Sequence, residues 1–221
     1  MTYGQVTHKY LGRKIPGDLR SRNSVEVAHR IRCAWAKFCQ HRDVLTDKNV
    51  SLSSRLRLFA TVVSPCVLFG LAACALTSVQ VESIDTVQRR MLRLIVGWVR
   101  PGDEPWADTT RHMRDRVARA MSIFPIEAWS AQLARRKFKM AGRFMARGQD
   151  WPSIIVLWDP KSTNPMACRS RGRPQRRWDD DFHEFTSACF PGQDWRDIAV
   201  DAVLWNSQTE AFIAGLSRAM P

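Results

Sequence analysis

Carboxylates are scarce in this 221-residue chain: 21 Asp and Glu stand against 34 Lys and Arg, a formal net charge of +13. That imbalance excludes a charge-neutral surface and suits an anionic partner, either nucleic acid or an anionic membrane. Cysteine supplies no framework. The six thiols (33, 39, 66, 74, 168 and 189) form no CxxC pair and no CxxC-to-HxxxH spacing, which argues against a zinc site or a disulfide scaffold. The five histidines (8, 29, 41, 112 and 183) lack ligand spacing, and GxSxG, Walker and HExxH patterns are missing, so neither a cofactor nor a metal is called for. The opening MTYGQVTHKY has no apolar stretch and no small-residue cleavage site. An intracellular, nuclear or cytoplasmic protein is therefore expected, not a secreted one. No internal repeat of fixed period is present.

What the chain does have is an ordinary globular balance, 45% hydrophobic and 25% charged residues, in a length able to bury a packed core. The first twenty residues alternate Tyr3, Val6, Tyr10, Leu11 and Ile15 with Gly4, Gly12 and Pro16-Gly17, which predicts a short hairpin. Helical periodicity follows. A capping box at Asn23 and Glu26 opens a helix to about Gln40; Ser51 caps a second, kinked or broken before Pro65; Thr77 and Gln80 open a third that closes near Gly97. Further helices are predicted at about 104–122, 126–147, 178–188, 194–205 and, from a Ser207 to Glu210 capping box, 207–218.

Charge divides the chain unevenly. Residues 1–177 hold 32 basic and 13 acidic side chains, whereas 178–221 hold 2 and 8. Residues 159–177 carry Pro160, Ser162, Asn164, Pro165, Ser170, Gly172 and Pro174 with no apolar periodicity, a linker with six basic residues. The expected organisation is a hairpin at 1–20, a helical domain at 21–158, the basic linker 159–177 and an acidic helical segment 178–221. The fold class is mainly α: a multi-helix bundle with an N-terminal β-hairpin and a small C-terminal helical segment after the linker.

The helix at 126–147 carries the clearest functional signal. At 100° per residue, Arg135, Arg136, Lys139, Arg143 and Arg147 fall within a sector of about 120°, opposite Leu133, Phe138, Met140, Ala141, Phe144 and Met145. Only Lys137 trespasses on the apolar face. Arg135, Lys139, Arg143 and Arg147 form an i, i+4 ladder, a cation about every 6 Å, with no Asp or Glu on the ladder to pair with. Such a ladder suits a phosphate backbone, whose contacts position without specifying sequence. Arg89, Arg90 and Arg93 repeat the pattern in miniature, and Arg111, Arg114, Arg116 and Arg119 lie between the two sets. Arg169, Arg171, Arg173, Arg176 and Arg177 make a basic arm suited to non-specific phosphate binding. Nine tryptophans (35, 98, 106, 129, 151, 158, 178, 195 and 205) can stack on bases, although helical spacing assigns most of them to a core. The three adjacent carboxylates Asp179, Asp180 and Asp181 diverge by 100° per residue on a helix and suit its N-terminal dipole better than a shared ion.

A rival reading starts from the 24 uncharged residues between Arg57 and Glu82. The run is long enough to cross a bilayer, and residues 58–76 would be the anchor of a membrane-associated basic protein. Ser64-Pro65, Gly70 and the capping signature at Thr77 argue for buried helix turns instead.

Tyr10-Leu11-Gly12, then Arg30, Ile31, Ala34 and Trp35, then Arg55-Leu56-Arg57-Leu58-Phe59 leading to Ser64-Pro65-Cys66 and Phe69-Gly70 occur in an order that resembles the C-terminal part of LINE-type (non-LTR) retrotransposon reverse transcriptases. The resemblance continues through Asp85, Gln88 to Arg93, Ile95 and Gly97-Trp98, and the Arg171 to Asp180 stretch looks like the basic linker beyond that domain. It implies a palm-edge, primer-grip position for Tyr10, Leu11 and Gly12, and a thumb that clasps template and primer for the helices after them. The chain has no Tyr-x-Asp-Asp and starts beyond the family's paired aspartates. Without carboxylates to hold Mg²⁺, no two-metal nucleotidyl transfer is expected of it. Neither endonuclease type of the family is visible, and residues 186–221 fall outside the resemblance.

The sequence thus reads as a nucleic-acid-binding fragment without its own catalytic site, clamping RNA, DNA or an RNA–DNA hybrid through Arg89, Arg93, Arg135, Arg136, Lys139, Arg143 and Arg147, with the arm adding reach. A separate reverse transcriptase palm polypeptide is a conceivable partner. The remaining alternative is a transposon relic with no task of its own.

Overall fold

The computed structural model describes residues 7–100, 102–148 and 176–218. It is mainly α-helical with one short antiparallel hairpin, β1 (Thr7–Tyr10) and β2 (Arg13–Pro16), in the register Thr7 to Pro16 and Tyr10 to Arg13. Leu11 and Gly12 make its two-residue turn, both with positive φ (46° and 79°), the geometry that matches strand twist. The helices are α1 (Arg22–Gln40), α2 (Arg42–Thr46), α3 (Leu52–Leu58), α4 (Ser64–Leu68), α5 (Ser78–Val96), α6 (Trp106–Ile123), α7 (Trp129–Ala146), α8 (Asp180–Cys189), α9 (Trp195–Val200), α10 (Ala202–Ser207) and α11 (Thr209–Arg218).

Two compact units divide the chain, one formed by Met1–Leu71 with Ser78–Gln132, the other by Ala72–Thr77 with Leu133–Pro221. The division falls inside α7, after its first turn.

In the first unit α1 packs on β2, α4 and α5, and α5 on α6. The sequence dictates this through apolar stripes: Val27, Ala34 and Phe38 of α1 and Ile84, Met91, Leu92 and Ile95 of α5 are all buried. Between α3 and α4 the helix widens into a π turn at Phe59–Val63, so Pro65 begins a new helical start instead of breaking the segment outright. Leu52–Ala73 is the one helical segment among the described residues long and apolar enough to cross a membrane. Its Leu56, Phe59, Val63, Val67, Leu68 and Leu71 form the centre of this unit's core, each at most 1% exposed.

Polar residues inside the same core act as struts. Glu26, fully buried, accepts from the Arg30 side chain (2.7 Å) and from the Lys14 backbone N–H (2.8 Å). It ties β2 to α1, so Asn23 and Glu26 do not form the expected capping box; α1 starts two residues earlier, after Ser21. Arg30 also donates to the Gly12 carbonyl at 2.6 Å. Arg55 donates to the carbonyls of Val50 (3.0 Å) and Ile95 (2.5 Å), and so satisfies an orphan carbonyl at the C-terminal end of α5. Asp85 and Gln88 of α5 cap the start of α7: Asp85 accepts from Ser130 N–H (2.9 Å) and Oγ–H (2.6 Å), Gln88 from Trp129 N–H (2.8 Å). Trp129 stacks on Phe59, ring centroids 5.7 Å apart, and its indole N–H donates to Ser64 Oγ at 2.8 Å.

The second unit is an aromatic cluster. Phe138 and Trp205 lie parallel, centroids 4.0 Å apart and planes 1° off, and the Trp205 indole donates to the Phe138 carbonyl at 2.9 Å. Gly142, one turn on, permits this: a Cβ there would sit 2.5 Å from Trp205 Cδ1. Phe182, Trp195 and Phe212 complete the buried group. The helix expected at 194–205 is two helices, because the Asp201 carboxylate accepts from Val203 and Leu204 N–H groups (2.9 and 3.0 Å) and starts α10 afresh. The Ser207 and Glu210 capping box does not form either. Ser207 ends α10, its hydroxyl donating to the Leu204 carbonyl (2.7 Å), and Glu210 turns to an arginine.

Candidate nucleic-acid interface

The sequence-predicted cations form two sets, one in each unit. In the second unit, α7 places Arg136, Lys139 and Arg143, and the turn that follows it Arg147, at exposed positions, and these four make no ion pair among the described residues. The apolar stripe of α7 explains their placement: Leu133, Phe138 and Ala141 are buried, which turns the opposite face to solvent.

The ladder's first rung differs. Arg135 donates with both guanidinium nitrogens to the Glu210 carboxylate on α11, one of them at 3.2 Å. The expectation of a ladder without acidic partners therefore fails there, for a reason invisible on the helix itself: the acid lies 75 residues away. The Arg135 hydrogen bond holds the Glu210 carboxyl below its ordinary value, and the charge of Lys139 adds to the shift.

Lys137, the residue that trespasses on the apolar face, is buried and donates to Asp181. Its ammonium also lies 5.5 Å from the Trp178 ring centroid and 5.2 Å from that of Phe182. Burial pushes its pKa down, and Asp181 opposes the fall. Arg176, expected in the free arm, instead pairs with Asp181 and, at 3.5 Å, with Glu184. Arg177 is exposed, its backbone N–H donating to Asp180 at 2.7 Å. Asp179 accepts from Arg196 and lies beside His183, both at 3.3 Å. Asp179 and Asp181 thus pair with cations, while Asp180 holds the backbone just ahead of α8. Arg169, Arg171 and Arg173 lie outside the described residues.

In the first unit Arg89 donates to Glu82 at 2.5 Å and to Thr86 at 3.0 Å. Arg93, one turn on, is exposed and makes no ion pair among the described residues. Arg89, Arg93 and Arg114 of α6 rim one cleft of about 640 Å³. Arg90 lies 5.6 Å from the Trp35 ring centroid on α1, Arg116 donates to the Val96 carbonyl of α5 at 3.2 Å, and Arg111 pairs with Asp108 of its own helix at 2.7 Å, so all three are engaged within the unit.

Over 205 residues the chain is 26% identical to an uncharacterized transposon-derived protein of Caenorhabditis elegans, an alignment covering 89% of this chain and 67% of that protein. This similarity supports a transposon-related origin. No family profile matches the chain, and no solved structure does.

Proposed function

We propose that the chain is a thumb-like, nucleic-acid-binding part of a LINE-type retrotransposon reverse transcriptase that clasps duplex or hybrid through phosphate contacts and performs no chemistry itself. The observation that supports the reading best is the face of α7 and the turn that follows it, where Arg136, Lys139, Arg143 and Arg147 stand exposed without carboxylate partners among the described residues. Exposed like charges at i, i+4 cost a few tenths of a kcal/mol per pair, which an unpartnered surface gains nothing by keeping. The transposon-derived relative agrees with this origin, and so does the ordered series from Tyr10 to Trp98. Arg30, Arg55, Asp85 and Gln88 belong to that series yet point inward, so the resemblance rests on the scaffold while α7 supplies the contacts.

Backbone contacts of this kind release counterions. Binding of a labelled RNA–DNA hybrid, followed by anisotropy across salt, should give a log–log slope of about −4 to −5 for Arg136, Lys139, Arg143, Arg147 and Arg93. A flat dependence overturns the proposal.

A further inference from the structure

The cleft between α5 and α6 has a composition that phosphate clamping leaves unused. Its floor is apolar, with Met113 at 1% and Val117 at 5% exposure, and its rim is cationic, with Arg89, Arg93 and Arg114. No acid lines it. Trp98 and Trp106 form one side, ring centroids 5.6 Å apart and planes tilted by 34°. These indoles leave 47% and 64% of their surface in water, whereas Trp129, Trp195 and Trp205 are at most 1% exposed. Two adjacent exposed indoles are costly surface unless something covers them.

The volume, about 640 Å³, lies in the range of small-molecule sites. An occupant must offer a flat apolar face to the indoles and negative charge to the guanidinium groups within a few ångströms of each other. Nucleotides with an unpaired base do both, because every base has a π face and each is tethered to a phosphate. Paired bases inside a duplex present edges and no free face. Acidic peptides would meet the arginines and leave the indoles uncovered.

We propose that this cleft is a binding site for an unpaired nucleotide of a single strand, the base stacking against Trp98 and Trp106 and the flanking phosphates lying on Arg93 and Arg114. The inference rests on the reading of the chain as a nucleic-acid binder and adds that it distinguishes single strand from duplex. Arg93 and Arg114 are the stronger phosphate ligands, since Arg89 already holds Glu82.

The test uses the full chain, a labelled twelve-nucleotide oligo(dT) and a hairpin duplex with the same number of phosphates, titrated by anisotropy at one salt concentration. Replacing both indoles (Trp98→Ala with Trp106→Ala) should weaken oligo(dT) binding about tenfold or more and leave duplex binding within about twofold. Restoring aromatic rings (Trp98→Phe with Trp106→Phe) should recover most of the loss, which a mere folding defect would not allow. Equal losses on both ligands, or no loss on oligo(dT), overturn the base site and spare the duplex clamp. Polyglutamate of equal charge competing as well as oligo(dT) also overturns it, because charge alone is then read. Wild-type chain that binds neither nucleic acid overturns this proposal and the parent reading together.

Discussion

Lys137 and Asp181 meet across 44 residues of sequence, the ammonium donating to the carboxylate where their side chains keep only 9% and 13% of their exposure. Breaking such a pair from one side leaves a charge that has lost its counterion and its water. Asp181→Asn should therefore destabilise the protein by about 2–4 kcal/mol in urea unfolding. The same change in a Lys137→Met background should cost clearly less, because the uncompensated cation is then gone.

Lys137 also predicts a pH dependence. Its folded pKa lies below the unfolded one, so the unfolded state binds the proton more readily and protonation favours unfolding. Stability from this group is lowest at neutral pH and rises as pH climbs through the window ending near the ordinary lysine value of about 10.4. Urea midpoints of wild type should gain on those of Lys137→Met as pH rises toward the ordinary lysine value of about 10.4; a constant difference would show that burial does not perturb this amine.

Glu210 gives the same direction in an acidic window, because its folded pKa is also the lower one. Its depressed pKa contributes stability above the ordinary glutamate value that is lost as pH falls through the folded one. Carboxyl NMR titration should place Glu210 below a free glutamate, and Arg135→Ala should return it most of the way. An unchanged titration in the variant would remove Arg135 as the cause.

The same ion pair separates Arg135 from its neighbours in binding. Arg135→Gln should leave the salt slope of hybrid binding almost unchanged, since Glu210 already neutralises that guanidinium. Replacing Arg136, Lys139, Arg143 and Arg147 together by Gln should reduce the slope by about 3.6 with the circular dichroism unaltered. Equal effects for Arg135 and Arg143 would contradict the assignment.

Packing at the second unit is tested by a methyl group. Gly142→Ala places a carbon 2.5 Å from Trp205 Cδ1, a contact that the parallel Phe138 ring leaves little room to relieve. A loss of about 1–3 kcal/mol is expected, read from the urea midpoint.

Much of the framework was legible in the sequence because helical periodicity is a local property. The stripes Val27 to Phe38 and Ile84 to Ile95 located α1 and α5 within a residue or two, and the run of basic residues on α7 located its exposed face. The failures share one cause, which is that a polar side chain's partner is chosen by the fold. Glu26 spells a capping box locally but is claimed by Lys14 and Arg30; Ser207 and Glu210 spell another, but Arg135 takes the glutamate. Asp85 and Gln88 cap a helix some forty residues further on, a role no window of sequence contains. One signal was present and underused. A lysine set among Leu133, Phe138 and Ala141 has to find an anion, and the acidic triplet after Trp178 offered one. The exposure of Trp98 and Trp106 had no counterpart in spacing, since all nine indoles look alike to periodicity.

The wide turn at Phe59–Val63 has a consequence for how this chain can change over generations. Removing one amino acid from it would swing everything downstream through about 100°, parting Ser64 from the Trp129 indole and facing Val67 and Leu68 outward. Insertions and deletions should therefore accumulate in the stretches at 47–51 and 97–105 of diverging copies, while the length of the Arg55 to Gly70 segment stays fixed.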